Sequence, residues 1–380
     1  MSFAPDVRTL RATGIAVALL AAFFIYRIFF ATPADPTPNL LVLAGRALGT
    51  TWEVRIAGED LDEQLRKRAQ ELIETRLADV DLWLSTARPD SEVSRFNASR
   101  STDPFDVSSP TAELVAYAIE LCKWSGSAFD ITIGPLVVRW DLGHGTPIAD
   151  PPSQQEIDAY LDRTGAEIIH VGRGNPKSGG FLRKFDPAVE IDLSPVTTGY
   201  AADHVAGGFF ELGRLDFLVE VGGKFYGAGH RPDGKPWRVD IEEPLANERK
   251  IHSIVELSNQ GFSTSADYRA ETVAGAPGLA FARLIDPRTG RPLENDMASA
   301  TVIAPTATQA AAFATTLMVL GAKDGLALAE QWNLGAMTLA RAEGAILREE
   351  RNALYPKPLH ATEAARRDAV SSAANRSPQP

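Results

Sequence analysis

An apolar run near the N-terminus divides this chain into an anchor and a body. Residues Thr13–Ala31 read TGIAVALLAAFFIYRIFFA, long enough to cross the hydrocarbon of a bilayer as one helix. Arg8 and Arg11 precede it, which predicts a cytoplasmic segment over residues 1–12 and an exported body. Arg27 lies near the far end, where its long stem carries the charge out to the headgroups. A cleaved signal peptide is the alternative: Thr32-Pro33-Ala34 supplies small residues, but the run is longer than a usual signal core. Residues 32–40, TPADPTPNL, read as a stiff proline-rich linker. The expectation is a single-pass cell-membrane protein whose main domain, residues 41–354, stands on the periplasmic or extracytoplasmic side. A tail over residues 355–380, rich in Ala, Ser, Arg and Pro, is expected to be disordered.

Composition narrows the partners. The chain has 380 residues, 44% hydrophobic and 23% charged, which suits a folded body with a large core. Its formal net charge of -11 repels phosphate backbones, so nucleic acid is excluded as an expected partner. The single cysteine, Cys122, shares an apolar helical spacing with Leu114, Ala118 and Leu121 and reads as a buried hydrophobe. With six scattered histidines beside it, no zinc cluster is expected.

Periodicity gives the elements. Thr51–Ile56 alternates Trp52, Val54 and Ile56 as a half-buried strand. Asp60–Leu84 predicts a helix opened by Asp60 and Glu63 as a capping box, with Leu61, Leu65, Leu72, Ile73, Leu77, Val80 and Leu84 on one face. Ser109-Pro110 predicts a second helix start. Further strands are expected at Phe217–Val221, Trp237–Ile241, Ala300–Ala304 and Gly335–Ala340, and helices at Gly199–Leu212, Thr308–Leu320 and Asp324–Gln331. Strands and helices intermix without strict alternation, which predicts an α+β fold of mixed sheets with packed helices. Gly229–Lys235 imitates a phosphate-binding loop but runs into Pro236, so a β-hairpin turn is expected; GRGNPKSGG (172–180) reads as a polar loop. His204 falls in an amphipathic helix and is expected to be packed or solvated rather than catalytic, and the Asn97-Ala98-Ser99 sequon carries no weight here.

Six separated segments each join small residues to one or two polar ones, and each is expected at a strand–loop junction. They are Gly45–Thr51 (GRALGTT), Ser91–Asn97 (SEVSRFN), Ala128–Leu136 (AFDITIGPL), Ile191–Tyr200 (IDLSPVTTGY), Val221–Lys224 (VGGK) and Ile285–Gly290 (IDPRTG). Close backbone approach with few side chains suits a phosphate-bearing cofactor. In the fourth, a strand ending at Leu193 and a helix opened by Pro195 and Gly199 would aim free N–H groups at an anion.

Taken in order, and with Phe262–Ser265 (FSTS), Asp267-Tyr268 and Thr315–Gly321 (TTLMVLG), these segments resemble the ApbE-like FAD:protein FMN transferase family over nearly all of residues 41–340. The resemblance implies that family's fold behind one N-terminal transmembrane helix. It also implies FAD as substrate, magnesium-assisted cleavage of the pyrophosphate, and attachment of FMN to a threonine or serine of a partner protein with release of AMP. The flavin contacts so implied fall on Leu48, Ala128, Phe129, Asp130, Asp192, Leu284 and Ile285. The implied metal site comprises the backbone carbonyl of Pro195, the side chain of Thr315 and the position of Ala311 one helical turn earlier.

Departures from the family pattern gather in the chemical positions. Ala311 stands where the family has an aspartate ligand, Thr198 where it has a lysine, Lys224 where it has an acid, Arg283 where it has a histidine, and Ala266 where it has a glycine. An alanine supplies no oxygen, and an arginine cannot act as a general base near neutral pH. Two readings therefore stand: a transferase with altered groups, in which Lys224 or Arg283 supplies charge, or a catalytically degenerate accessory protein of a membrane redox complex that binds flavin or only a partner.

Overall fold

The structure is a computed structural model that describes residues 39–140, 151–174, 179–244, 250–267, 284–342, 347–357 and 359. The apolar run Thr13–Ala31 and the linker to Pro38 lie outside these residues, as do Arg283, Tyr268 and the tail from 360. Along the chain the strands are β1 Leu40–Ala47, β2 Thr50–Ala57, β3 Phe105–Val107, β4 Ile169–Arg173, β5 Gly180–Lys184, β6 Phe217–Val221, β7 Lys224–Ala228, β8 Trp237–Glu242, β9 Ile251–Leu257, β10 Gln260–Ala266, β11 Ile285–Asp286, β12 Arg291–Pro292, β13 Met297–Ala304, β14 Gly335–Arg341 and β15 Leu347–Arg351. The helices are α1 Glu63–Leu84, α2 Glu92–Ala98, α3 Ser109–Trp124, α4 Gly134–Arg139, α5 Gln154–Leu161, α6 Ser194–Glu211 and α7 Ala307–Gln331.

An eight-stranded antiparallel sheet in the order β1-β2-β6-β7-β10-β13-β14-β15 forms the frame. Period-2 alternation gives it two apolar faces. Trp52, Val54 and Ile56 join a core with Leu65, Ile73 and Leu77 of α1 and Val205 and Phe209 of α6. Leu218, Phe262, Ile303 and Leu339 point to the opposite face, where Trp237, Val239, Val255 and Leu257 of the β8–β9 ribbon cover them. A small sheet, β3-β5-β4, packs with α3 beside this frame. The mixed α+β organisation expected from the sequence is what forms. Helix α7 has the length and hydropathy of a membrane span, yet it packs inside the fold between α6 and the sheet.

Several local expectations change. Helix α1 begins at Glu63 with Asp62, not Asp60, as its cap: the Leu65 amide donates to Asp62 Oδ1 at 2.7 Å. Ser91–Asn97 is not a strand–loop junction but the short helix α2, capped by Ser91. Ile191–Leu193 is irregular rather than a strand, and α6 starts at Ser194, five residues before the expected Gly199. The two C-terminal helices expected at Thr308–Leu320 and Asp324–Gln331 do form, as the two halves of α7 on either side of the non-helical Gly321 (φ 79°). Gly229–Lys235 closes a tight turn, with the Arg231 amide donating to the Lys235 carbonyl at 2.7 Å, but it joins strands of different sheets and is no hairpin. Gly172 and Gly180 lie in the paired strands β4 and β5 rather than in a loop. Pairing also continues past Leu354: Tyr355 is buried, and Leu359 exchanges both backbone hydrogen bonds with Ile254 at 2.9 Å.

Candidate functional site

Helix α6 organises the site, and its first turn is closed by its own chain. The Ser194 amide donates to Asp192 Oδ1 at 2.8 Å, and the Val196 and Thr197 amides both donate to the Leu193 carbonyl at 2.9 Å. Pro195 has no N–H. The anion cradle expected at this helix start is therefore not free: its amides have partners and a carboxylate sits over them.

Asp192 is instead the point where three separate segments meet. Its amide donates to the Ile131 carbonyl at 2.7 Å, and a Cβ on Gly134 would stand 2.8 Å from the Asp192 Cβ, so only glycine allows this approach. Ile133 and Leu136 share a cluster with Ile285, and the Trp140 indole donates to the Gly290 carbonyl at 2.8 Å. Asn97 holds the same place from α2: its side-chain amide donates to the Ile191 carbonyl and accepts from the Ile191 amide, both at 2.8 Å. The sequon dismissed in the sequence is thus a structural clamp, and Asn97 is a residue that sequence reasoning undervalued.

The flavin-contact positions surround this junction. Ala128, Phe129 and Asp130 form the loop between α3 and α4, entered through Gly126 and Ser127, both with positive φ (60° and 64°). Asp130 Oδ1 accepts from the Thr132 amide at 2.8 Å and from its hydroxyl at 2.6 Å. Burial raises the Asp130 carboxyl above its ordinary range, and these Thr132 bonds oppose the rise. Burial likewise pushes the Cys122 thiol, which stands beside it, up to about 11, with the Asp130 charge adding to the effect. Ile285 is buried, and Leu284 packs on the main core and accepts from the Leu293 amide at 3.0 Å. Leu48 occupies the two-residue turn Leu48–Gly49 between β1 and β2, with φ of 53° and 72°. Both values suit the tight hairpin turn, but a leucine there holds a conformation that favours glycine or asparagine.

The metal-site positions lie on the crossing of α6 and α7. Asp203 accepts from the Ala307 amide and the Thr308 amide at 2.8 Å and from the Thr308 hydroxyl at 2.6 Å, capping α7 from α6. One turn earlier, a Cβ on Gly199 would meet the Ala307 carbonyl oxygen at 2.6 Å and the Ala311 Cβ at 3.1 Å. The helices therefore run antiparallel in near-backbone contact, and Pro195, a further turn back, lies toward Thr315, a further turn on. Burial, the largest influence, pushes the Asp203 carboxyl up to about 6 against the lowering effect of its Thr308 and Ala307 donors. Nothing in the sequence pattern flagged Asp203, because its partners lie 104 and 105 residues away.

These positions do not fit magnesium. A hard divalent cation takes six or more oxygens with carboxylates among them, and here the buried Ala311 stands at the carboxylate position, leaving only the Pro195 carbonyl and the Thr315 hydroxyl of the implied set. Among the described residues no group of three or more His, Cys, Asp or Glu side chains is arranged to hold a metal ion.

Thr198 reaches a third region. A Cβ on Gly222 would meet Thr198 Cγ2 at 3.2 Å and Thr50 Cγ2 at 3.1 Å, so α6 touches the β1–β2 and β6–β7 hairpins at one point. Gly222 and Gly223 make the tight turn of the latter, φ 57° and 78°, and the Gly222 amide donates to the Thr51 carbonyl at 3.0 Å. Beyond this contact opens a cleft of about 660 Å³ between the large sheet and the β8–β9 ribbon. Thr50, Thr51, Gly222, Gly223, Lys224, Thr264 and Ser265 line it, with the charged residues Glu53, Arg55, Glu220, Arg238, Asp240 and Glu242. None of the flavin-contact positions lines this cleft; Leu48 is joined to it through Thr50, two residues on.

Known proteins are similar to this chain in sequence and fold. The ApbE family profile matches residues 48–338. The FAD:protein FMN transferase of Salmonella typhimurium is 39% identical over 338 residues, spanning 87% of this chain and 93% of that protein. The FAD:protein FMN transferase of Escherichia coli K12 is 38% identical over 311 residues, 80% of this chain and 86% of that protein. Among solved structures, the flavin transferase ApbE from Vibrio cholerae superposes with a TM-score of 0.73 at 33% identity, covering 83% of this chain and 98% of that one. The apo flavinyl transferase ApbE from Pseudomonas stutzeri gives 0.71 at 32% identity, over 83% and 95%. With the ordered segments gathered around one helix start and the match running through nearly the whole described body, this chain belongs to the ApbE family.

Proposed function

We propose that this chain transfers FMN from FAD to a threonine or serine of a partner protein, releasing AMP, and does so on the outer face of a membrane. The observation that carries the reading is the meeting of the 128–134 loop, Asp192 and Ile285 at the start of α6, tied by the Asp192–Ile131 hydrogen bond and the Gly134 approach. These are the positions that the family resemblance gives to flavin contacts, and the relatives carry the matching name. The Ile191–Asp192 segment that would hold the flavin is fixed from both sides, because Asn97 clamps the Ile191 backbone and the Gly134 approach and Ile131 carbonyl hold Asp192. Rigid placement matters here, since phosphoryl transfer depends mainly on positioning and charge stabilisation.

The location follows from the N-terminal sequence: Thr13–Ala31 as a single anchor, Arg8 and Arg11 on the cytoplasmic side, and the body outside. The direct test uses the full-length chain in detergent with FAD and a peptide carrying the acceptor segment that the family resemblance implies, Asp-x-x-(Ser/Thr)-x-Ala-Thr, here with threonine at the variable position. AMP release with a matching gain of one FMN on the peptide supports the reading; FAD bound without AMP release refutes it. Protease added to spheroplasts tests the location: digestion of the body is expected, and its protection would sink the outward orientation.

One observation favours a second reading, a flavin-holding accessory protein. The α6–α7 crossing offers alanine where a charged ligand would stand, so the fold can bind a flavin there without the charge that turnover needs. FAD binding without turnover in the same experiment is its signature.

A further inference from the structure

We infer that Lys224 supplies the positive charge on the pyrophosphate of FAD and that the transfer runs without a divalent metal. The inference rests on the transferase reading above. The flavin positions lie at Leu48 and around Asp192, and two short routes lead from them to the same spot. Leu48 is two residues from Thr50 along the β1–β2 turn, and Asp192 opens α6, whose Thr198 touches Gly222. Thr50 and Thr198 converge on Gly222, with contacts to its virtual Cβ of 3.1 and 3.2 Å. In FAD the pyrophosphate is joined directly to the flavin's ribityl chain, so a flavin held at the first positions lays its pyrophosphate at this convergence.

The groups gathered there have the chemistry of phosphate recognition. The Thr50 hydroxyl and the Thr198 side chain flank a turn of two positive-φ glycines, where backbone can approach a ligand without a Cβ in the way. Lys224 follows the turn directly, and its ammonium donates to the Thr264 carbonyl at 3.3 Å on the wall of the cleft. Ser265 of β10 lines the same cleft. At the α6–α7 crossing Ala311 stands where a carboxylate ligand is expected, and the carboxylate that is present, Asp203, is committed to capping α7.

The step balances without a further reactant. The acceptor hydroxyl oxygen forms a bond to the phosphorus that carries riboflavin, and the bond from that phosphorus to the bridging oxygen breaks. The electron pair leaves with AMP, the hydroxyl proton passes to solvent, and nothing is oxidised or reduced. The Lys224 ammonium stabilises the charge that builds on the bridging oxygen.

The test uses full-length protein in detergent and reads binding as well as turnover. With the Asp-x-x-Thr-x-Ala-Thr peptide, AMP release in EDTA is expected to stay within about twofold of that in magnesium, because no metal term enters. Lys224→Ala is expected to weaken FAD binding about 10- to 100-fold, the usual range for a lost charge-assisted hydrogen bond. Riboflavin, which has no phosphate, is expected to bind both proteins equally, and that equality also certifies that the variant is folded. Lys224→Arg keeps the charge and is expected to restore FAD binding. AMP release that vanishes in EDTA and returns with magnesium overturns the inference and leaves the transferase reading standing. Equal FAD affinity in wild type and Lys224→Ala overturns it as well. FAD binding with no AMP release in either condition removes both readings together.

Discussion

Adding one methyl group to Gly199 tests the helix crossing on which the site is built. The new Cβ of Gly199→Ala would stand 2.6 Å from the Ala307 carbonyl oxygen and 2.9 Å from its carbonyl carbon. Those atoms are α7 backbone and cannot rotate away, so the helices must part. Overpacking of this kind costs about 1–3 kcal/mol, and the backbone contact puts it near the upper end. Alanine returns about 1 kcal/mol of helix propensity, leaving a net loss of about 1–2 kcal/mol. For a domain of this size that lowers the melting temperature by about 1.5–3 °C. Gly207, on the same helix, provides the control because nothing lies within 4 Å of its virtual Cβ. Gly207→Ala is expected to raise stability by about 0.4–1 kcal/mol. Urea unfolding of the two variants side by side should therefore give opposite signs. A Gly199→Ala protein as stable as wild type would show that α6 and α7 do not meet in near-backbone contact, and the placement of Pro195 opposite Thr315 would fall with it.

Other perturbations address the parts that hold the site. Asp203 has its carboxyl raised from 3.8 to about 6, so the folded protein binds a proton that the unfolded chain does not; this contribution is full below 3.8 and is lost as pH rises through about 6. As pH rises through that window wild type should lose about 1.4 kcal/mol per pH unit relative to Asp203→Asn, and parallel pH slopes in urea melts would refute the assignment. Asn97→Ala leaves the Ile191 amide and carbonyl without their partner, at a cost of about 1–3 kcal/mol, and should weaken flavin binding because Asp192 follows; unchanged FAD titration would contradict the clamp. Leu48→Gly relieves the strain at φ 53° and should stabilise the fold by about 1 kcal/mol while reducing flavin affinity. A loss of stability in calorimetry would show that the Leu48 side chain contributes more by packing than its backbone stores as strain.

Much of the frame was legible from local pattern. Alternation at Trp52, Val54 and Ile56 placed β2, the periodic leucines placed α1, and small-residue segments in fixed order pointed to the family before any contact was known. Errors fell where a local signal had two solutions. Asp60 and Asp62 both offer a cap, and only the docking of Leu65 into the core selects the second. Gly229–Lys235 carries turn chemistry, but turn residues do not say whether the flanking strands pair with each other or with different sheets. Asn97 looked like a surface sequon, since the Ile191 backbone that it grips is 94 residues away.

The sequence by itself determined the strand and helix periods, the apolar segment with its flanking arginines, the family, and the substitutions at 198, 224, 283 and 311. Those are properties of residue type and spacing, which survive in one dimension. Only the tertiary structure decided that Asp203 caps α7, that Gly199 lets two helices touch, and that Thr198, Thr50 and Gly222 enclose one point next to Lys224. Each of these joins positions far apart in the chain through steric fit or a hydrogen bond. Such contacts depend on how sheet and helices pack, and no local propensity encodes that packing.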